Sequence, residues 1–321
     1  MKKVSIIIPC KSIDQMTEKC IIECLNLDYK KFEIIILPDE ADQEISKKYR
    51  DKKIKILATG KVKPSLKRNI GMKSAKGNFF AFIDSDAYPA KDWLKNAAKY
   101  FDDEKIGIVG GPNLTPEQVN IWEVISGYVL GNFFVSGNAY IRYKTAENQF
   151  AHELPSCNYI SRKEASSEYD SSLLTAEDSE FCFNASKKGF KILYAKDAVV
   201  YHHRRDSLRK HLKQMFVYGR DIALLTKKDF SSDKIYYSLL SVFVIAFFTM
   251  AIISFASSFF KIIFLSGLSL YLLIMFLTSI HKNFTITLLT FVASVLTHFS
   301  YGFGWLKGIF PKLPKKLQNS S

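Results

Sequence analysis

Formal charge is almost missing from the last third of this 321-residue chain. From Ser238 to Phe260, from Ile262 to Ile280 and from Asn283 to Leu306 there is no Asp, Glu, Lys or Arg, and Lys261 and Lys282 stand at the junctions. Runs of about 20 apolar residues are long enough to cross a bilayer at about 1.5 Å per residue. A buried core helix accounts for one such run but poorly for three in succession, which argues against a wholly soluble protein. A transporter fits no better, because the apolar part is small and carries no acids to bury.

Other scarcities narrow the class. Met1-Lys2-Lys3 followed by Val4 to Ile8 begins like a secretory leader, but its apolar core is too short and Pro9 cuts it off. It reads as a first buried strand. Cysteines are few, odd in number and without paired zinc-ligand spacing; Cys20 and Cys24, four apart, share one helix face as packing residues do. A reduced, cytosolic catalytic region is expected. No internal repeat or low-complexity linker is visible.

Basic residues are abundant instead: 45 Lys and Arg against 31 Asp and Glu leave a net charge of +14. Most are scattered as on a solvated surface, but His202-His203-Arg204-Arg205, Arg209, Lys210, His211 and Lys213 crowd just before the first apolar run. Anionic lipid headgroups or phosphate-bearing substrates suit such a cluster. Nucleic acid does not, since no recognition motif accompanies it.

The first 235 residues alternate short Ile-, Val- and Phe-rich runs with helix-like sequence. Val4 to Pro9, Phe32 to Leu37, Ile54 to Leu57, Phe79 to Ile83 and Ile106 to Val109 predict strands; Asp14 to Leu27, Glu40 to Arg50, Pro64 to Ser74 and Asp92 to Phe101 predict helices. Near-continuous apolar strands between helices imply an α/β domain with a largely parallel sheet covered on both faces. Asp92 is expected to cap its helix and Gly77 to end the preceding one. The strand Phe79 to Ile83 runs into Asp84-Ser85-Asp86, two carboxylates on the same side of an extended backbone that can share one divalent cation. Asp-x-Asp alone is weak, because turns use Asp for local hydrogen bonds. Its place at the carboxyl end of a strand, where open α/β sheets hold ligands, strengthens it.

Further candidates converge on the same rim. Asp39 follows the second strand, where a helix cap is the competing reading. Arg68, between Asp39 and the Asp pair in sequence, is either a phosphate clamp or an ordinary surface residue. Glu177 and Asp178 open a helix that closes at Gly189; acids there complement the helix dipole, or one of them serves as a general base. Lys191 to Tyr194 and Ala198 to Tyr201 are strand-like, and the second ends at His202 and His203.

Taken in order, Pro9 after the first strand, Asp39 after the second, Arg68 to Gly77 as Arg-Asn-x-Gly-x-x-x-Ala-x-Gly, the Asp-x-Asp, Glu177-Asp178 and His202 resemble the family-2 glycosyltransferases of GT-A fold, over about residues 4 to 205. Membrane-attached members are most similar. The resemblance implies an inverting transfer from a UDP- or GDP-sugar, with Pro9 and Asp39 on the nucleoside side, Arg68 on the phosphates, Asp84 on the ribose and metal shell, and Asp86 with His202 on Mn²⁺ or Mg²⁺. It makes Asp178 the catalytic base, with Glu177 beside it, and a lipid-linked or polysaccharide acceptor the partner. This chain departs from the family in having Pro38-Asp39-Glu40 where a double acid is common and Cys10-Lys11 where an Asn-containing turn is usual. It lacks the Gln-x-x-Arg-Trp of processive synthases, which favours transfer of one sugar. A sugar nucleotidyltransferase would carry a Gly-rich, Lys-containing loop after the first strand, and Cys10-Lys11-Ser12-Ile13 is not one; a glycan-binding scaffold on a degenerate transferase fold is the non-enzymatic alternative.

The expected organisation is a transferase domain over 1–205, an amphipathic segment over 206–234, a membrane region over 235–310 and a basic tail over 311–321. Leu208, Leu212, Met215, Phe216, Gly219, Ile222 and Ala223 have helical spacing and suit a helix lying among the headgroups. The third apolar run is the most polar, so two spans with a re-entrant or interfacial third segment are expected, leaving both termini and the catalytic domain cytoplasmic.

Overall fold

A computed structural model describes residues 2–41, 47–172, 175–228 and 232–310. The middle of the helix expected over Glu40 to Arg50 and the basic tail lie outside the described residues. The chain divides into two units, Met1–Arg204 and Arg205–Ser321.

The first unit runs β1 (Val4–Pro9), α1 (Gln15–Leu25), β2 (Phe32–Leu37), β3 (Ile54–Ile56), α2 (Pro64–Ser74), β4 (Phe79–Phe82), β5 (Ala87–Pro89) and α3 (Trp93–Ala98). It continues with β6 (Ile106–Gly110), β7 (Asn113–Leu114), α4 (Ile121–Leu130), α5 (Phe133–Ser136), β8 (Gln149–Ala151), β9 (Tyr159–Arg162), α6 (Glu177–Lys187), β10 (Lys191–Tyr194) and β11 (Val200–His202). The main sheet has the order β3-β2-β1-β4-β9-β6-β10-β8, and β5-β11-β7 form a second, small sheet. β1, β2, β3 and β4 are mutually parallel, as expected. The sheet as a whole is mixed, because β9 runs antiparallel between β4 and β6, and β8 runs antiparallel to β10. β9 escapes a periodicity reading because it is short and half polar, Tyr-Ile-Ser-Arg.

Both faces of the central strands are buried, which is why their sequences are apolar without alternation. Ile6, Ile8, Ile34 and Ile36 meet Cys20, Ile21 and Cys24 of α1 and Trp93 of α3 on one side. Ile7, Ile35, Leu37 and Phe82 meet Phe181 and Cys182 of α6 on the other. Asp14 caps α1 by accepting from the Thr17 amide at 2.9 Å. Asp92 holds the N-cap position of α3 but makes no capping bond with its side chain. Gly189, at φ +87°, closes α6 in the left-handed conformation that glycine adopts without strain. Gly77 has another function than helix ending. Its amide donates to Ser5 Oγ at 2.9 Å, and a Cβ there would stand 2.8 Å from the Ser5 nitrogen, so glycine lets the approach to β4 lie against β1.

The second unit consists of α7 (Leu208–Lys228), α8 (Leu239–Ile253), α9 (Ser258–Leu277) and α10 (Phe284–Ile309). Among the described residues, three stretches are long and apolar enough to cross a membrane: Ile235–Ile253, Ser258–Leu277 and Phe284–Ile309. The third is one unbroken helix rather than a re-entrant segment. Its polar residues face protein. Thr287, Thr290, Ser294, Thr297 and His298 are buried, and Thr297 Oγ1 lies 3.0 Å from His211 Nε2 of α7. A Cβ on Gly304 or Gly308 would overlap the carbonyls of Phe216 and Arg220 on α7. Small residues of this kind let helix backbones approach closely in apolar surroundings. The apolar face of α7, with Met215, Ile222 and Ala223 buried, is thus covered by α10 rather than by headgroups.

Replacing Gly77 by Ala is expected to destabilise the protein by about 1 to 3 kcal/mol, the cost of forcing an extra carbon into packed backbone. A thermal melt of the full chain in detergent, unchanged from wild type, would reject that account of the glycine.

Candidate active site

The site grows from the carboxyl ends of three parallel strands. Pro9 pairs with Leu37 and Ile7 with Phe82, so the loops leaving β1, β2 and β4 emerge together. Those loops carry Asp39, Asp84 and Asp86. Antiparallel pairing of β11 with β5 sets His202 opposite Ala87, the residue after Asp86, and the His203 amide donates to the Asp86 carbonyl at 3.0 Å. The local register therefore delivers His202 to the carboxylate pair. One ligand atom from each of Asp84, Asp86 and His202 lies within 4.8 Å of the others, and His202 Nε2 stands 3.2 Å from Asp86 Oδ1. Two carboxylates and an imidazole fit a Mn²⁺-like cation, which takes oxygen ligands readily and tolerates nitrogen.

Helix α2 lies behind these loops and presents two consecutive cations to them. Arg68 is 3 % exposed. Its Nη2 donates to Asp84 Oδ1 at 2.6 Å and its Nη1 to Glu177 Oε1 at 3.2 Å. Burial opposes its charge, but Asp84, Tyr169 and Glu177 more than offset that, and the guanidinium is held above its ordinary pKa. The sequence suggests a phosphate clamp here. In the structure the guanidinium meets two carboxylates, and its Nε is buried without a partner among the described residues. Lys67, which sequence reading missed, is equally buried and donates to the Cys10 carbonyl at 2.6 Å, the Leu37 carbonyl at 3.1 Å and Asp39 Oδ1 at 2.5 Å. It links Asp39 and the residue after Pro9 to the helix that carries Arg68. A Lys-Arg pair on a helix reads as solvated surface, which is why the sequence hid it.

On the far side of Arg68, α6 begins with Glu177 and Asp178. Glu177 turns to Arg68, and its Oε2 is buried without a partner among the described residues. Burial raises the Glu177 pKa and Arg68 draws it back. Asp178 is half-buried; its Oδ1 accepts from the Ser179 amide at 2.9 Å and its Oδ2 from the Ser156 amide at 3.3 Å. Loss of hydration, then the charges of Glu177 and Glu153, push its pKa up to about 7, against the pull of Arg142 and Arg68. A carboxyl poised near neutrality can take a proton from a hydroxyl and release it again.

A third layer supports the histidine strand. Glu123 of α4 accepts from the Arg204 amide at 3.0 Å and lies 2.9 Å from His203 Nδ1. Arg204 reaches the carbonyl and side chain of Asn113 on β7 and approaches His202 Nδ1 at 3.2 Å. None of these supports is legible in sequence, because α4 reads as a plain apolar helix. Beside Asp86, a cavity of about 210 Å³ is lined by Gln15, Met16, Lys19, Tyr88 and His203.

Comparison with known proteins bears on this geometry. A family model described as glycosyl transferase family 2 matches residues 5–169. The chain is 27% identical over 266 residues, covering 78% of this chain and 80% of the other, to a Methanococcus voltae protein named as a dolichyl N-acetyl-alpha-D-glucosaminyl phosphate 3-beta-D-2,3-diacetamido-2,3-dideoxy-beta-D-glucuronosyltransferase. It is 38% identical over 115 residues to the Staphylococcus aureus poly(ribitol-phosphate) beta-N-acetylglucosaminyltransferase TarS, covering 32% of this chain and 19% of that one. A mannosyltransferase from Pyrobaculum calidifontis, solved in complex with GDP-Man and Mn²⁺, superposes with a TM-score of 0.69 at 14% identity, over 97% of this chain and 88% of that one.

Arg68→Met is expected to destabilise the protein by about 3 to 5 kcal/mol, since it strands the buried Glu177 and leaves the partly exposed Asp84 without its cation. Adding Glu177→Gln should recover part of the loss. If the double variant unfolds at the same temperature as Arg68→Met alone, the two side chains are not coupled as described.

Proposed function

The chain belongs to glycosyl transferase family 2, and on that premise we propose an inverting transfer of one sugar from a nucleotide-sugar donor to a lipid-linked acceptor. The observation that carries the proposal is the grouping of Asp84, Asp86 and His202, with Asp84 joined through Arg68 to Glu177, the neighbour of Asp178 on α6. Asp39 and the Pro9 turn receive the nucleoside. Arg68 lies toward the phosphates and also holds Asp84 and Glu177 in place. A divalent cation, Mn²⁺ or Mg²⁺, held by Asp84, Asp86 and His202 supplies the charge that neutralises a departing nucleoside diphosphate.

Asp178 removes the proton from the acceptor hydroxyl as that oxygen bonds to the anomeric carbon and the diphosphate leaves from the opposite face. The lipid-linked acceptor is supported by the Methanococcus relative, whose name specifies a dolichyl phosphate-linked sugar, and by the three membrane-length helices of this chain. On the same ground the protein is a multi-pass membrane protein with its catalytic unit in the cytoplasm.

Screening nucleotide sugars for thermal stabilisation with and without Mn²⁺ tests the reading as a whole. Asp86→Ala should abolish Mn²⁺-dependent donor binding while leaving the fold intact; unchanged binding in calorimetry would remove Asp86 from the metal site. Asp178→Asn should keep donor affinity and lower turnover by about 10²- to 10⁴-fold.

The pH dependence has a defined sign. Asp178 accepts a proton only when ionised, and its pKa is raised to about 7, so kcat/KM should fall as pH drops below about 7 and level off above it. A profile flat from pH 5 to 8 would place the base elsewhere, with Glu177 the first candidate.

A further inference from the structure

Half of the large apolar side chains that the first unit leaves in water belong to one short stretch. Among its described residues eight are exposed, and four of these, Ile121 and Tyr128 on α4 with Phe133 and Phe134 on α5, stand at 44, 43, 51 and 52% exposure. We propose that α4 and α5 are a second membrane contact, a face by which the catalytic unit settles into the headgroup layer of a phospholipid bilayer. The inference rests on the reading of α8 to α10 as membrane helices and is independent of the transfer chemistry.

Exposed apolar residues scattered singly are ordinary, whereas a group of them marks a surface that meets something apolar. Ile121 and Tyr128 are two turns apart and share one face of α4. The ring of Phe133 meets those of Phe134 and Tyr140 at centroid distances of 5.7 and 5.6 Å, which joins α5 to the turn after it. From Val124 to Ile141 there is no Asp, Glu, Lys or Arg. Beyond Ile141 the first exposed charge is Lys144, whose ammonium lies 4.5 Å from the centre of the Tyr140 ring. Aromatic rings edged by a lysine suit a lipid surface, with the rings at the level of the headgroups and the ammonium among their phosphates.

The inner side of α4 is fixed. Gly127 lies so close to Thr115 that a Cβ would stand 2.2 Å from its Oγ1, and Glu123 holds His203 and the Arg204 amide. Arg204 is the last residue of the first unit, and every membrane-length helix among the described residues lies downstream of it. The chain thus leaves this unit from beside α4, and a bilayer is the apolar partner that such a tether always supplies. Because Glu123 also braces the end of β11, docking of α4 sets the distance of His202, and with it the candidate metal site, from the lipid surface.

The test is fluorescence of the full chain reconstituted into vesicles of phosphatidylcholine and phosphatidylglycerol, with and without bromine on the acyl chains. Trp122 and Trp305 are replaced by Phe, and the fully buried Trp93 remains as a constant background. Phe134→Trp then places one reporter on the proposed face, and Ile22→Trp places a comparison on α1, at a site 51% exposed. Bromine should quench the reporter at position 134 and leave the one at position 22 unchanged, and adding Ile121→Ser and Phe133→Ser should relieve the quenching. All these sites are exposed, and unchanged thermal midpoints show that the variants are folded. Absence of quenching at position 134 overturns the proposal, and a blue-shifted emission without quenching there does so in favour of a protein partner such as a second copy of the chain. Equal quenching at both positions overturns it too, since lipid contact is then not particular to α4 and α5. Quenching that survives the two serines overturns the role given to these side chains. Failure of the wild-type chain to float with the vesicles overturns the membrane reading of α8 to α10, a result distinct from a face that stays in water.

Discussion

Two adjacent positive charges buried in one helix hold this site together. Arg68 and Lys67 are each almost fully removed from water, a state that is costly unless every charge is met by partners. The partners come from separate parts of the chain: Asp84 after β4, Glu177 at the start of α6, and Asp39 with the ends of β1 and β2. Removing Arg68 leaves Asp84 and Glu177 without their shared cation, and removing Lys67 leaves Asp39 and two strand-end carbonyls without their donor. The site is thus assembled around α2 as much as at the strand ends.

The remaining geometry follows from that frame. With Asp84 fixed by Arg68, Asp86 is set two residues on, and pairing of β11 with β5 brings His202 to it. With Glu177 drawn to Arg68, the next residue on α6 turns aside, and Asp178 meets the Ser156 amide instead of the guanidinium. Two neighbouring acids therefore acquire different surroundings. One is neutralised by a cation, and the other keeps a pKa near 7 because burial and like charge outweigh its distant cations.

Much of this was legible in the sequence where apolar runs end in acids. The strands at Val4, Phe32 and Phe79, the Asp-x-Asp and the Glu-Asp pair announce themselves by position, and the parallel part of the sheet follows from uninterrupted Ile, Val and Phe. The supports were not legible. Lys67 has the composition of a solvated surface, Glu123 is a lone acid in an apolar helix, and β9 is too short and polar to show a period; each owes its place to neighbours distant in the chain. Likewise, the Thr and Gly content of the third apolar run reads as polarity against a lipid surface, whereas Thr297, Gly304 and Gly308 face α7 and Gly302 faces α8.

That seam between α7 and α10 also bears on how the chain is made. The least apolar of the membrane-length helices is the last to leave the ribosome, and alone it would carry threonines, a histidine and bare glycine backbone into hydrocarbon. Its partner, α7, precedes it in the sequence and is already synthesised when it emerges. The order of elements along the gene thus supplies a receptor for the segment that lipid alone accepts least well, and a chain with those two helices exchanged would make the same contacts but assemble them in the unfavourable order.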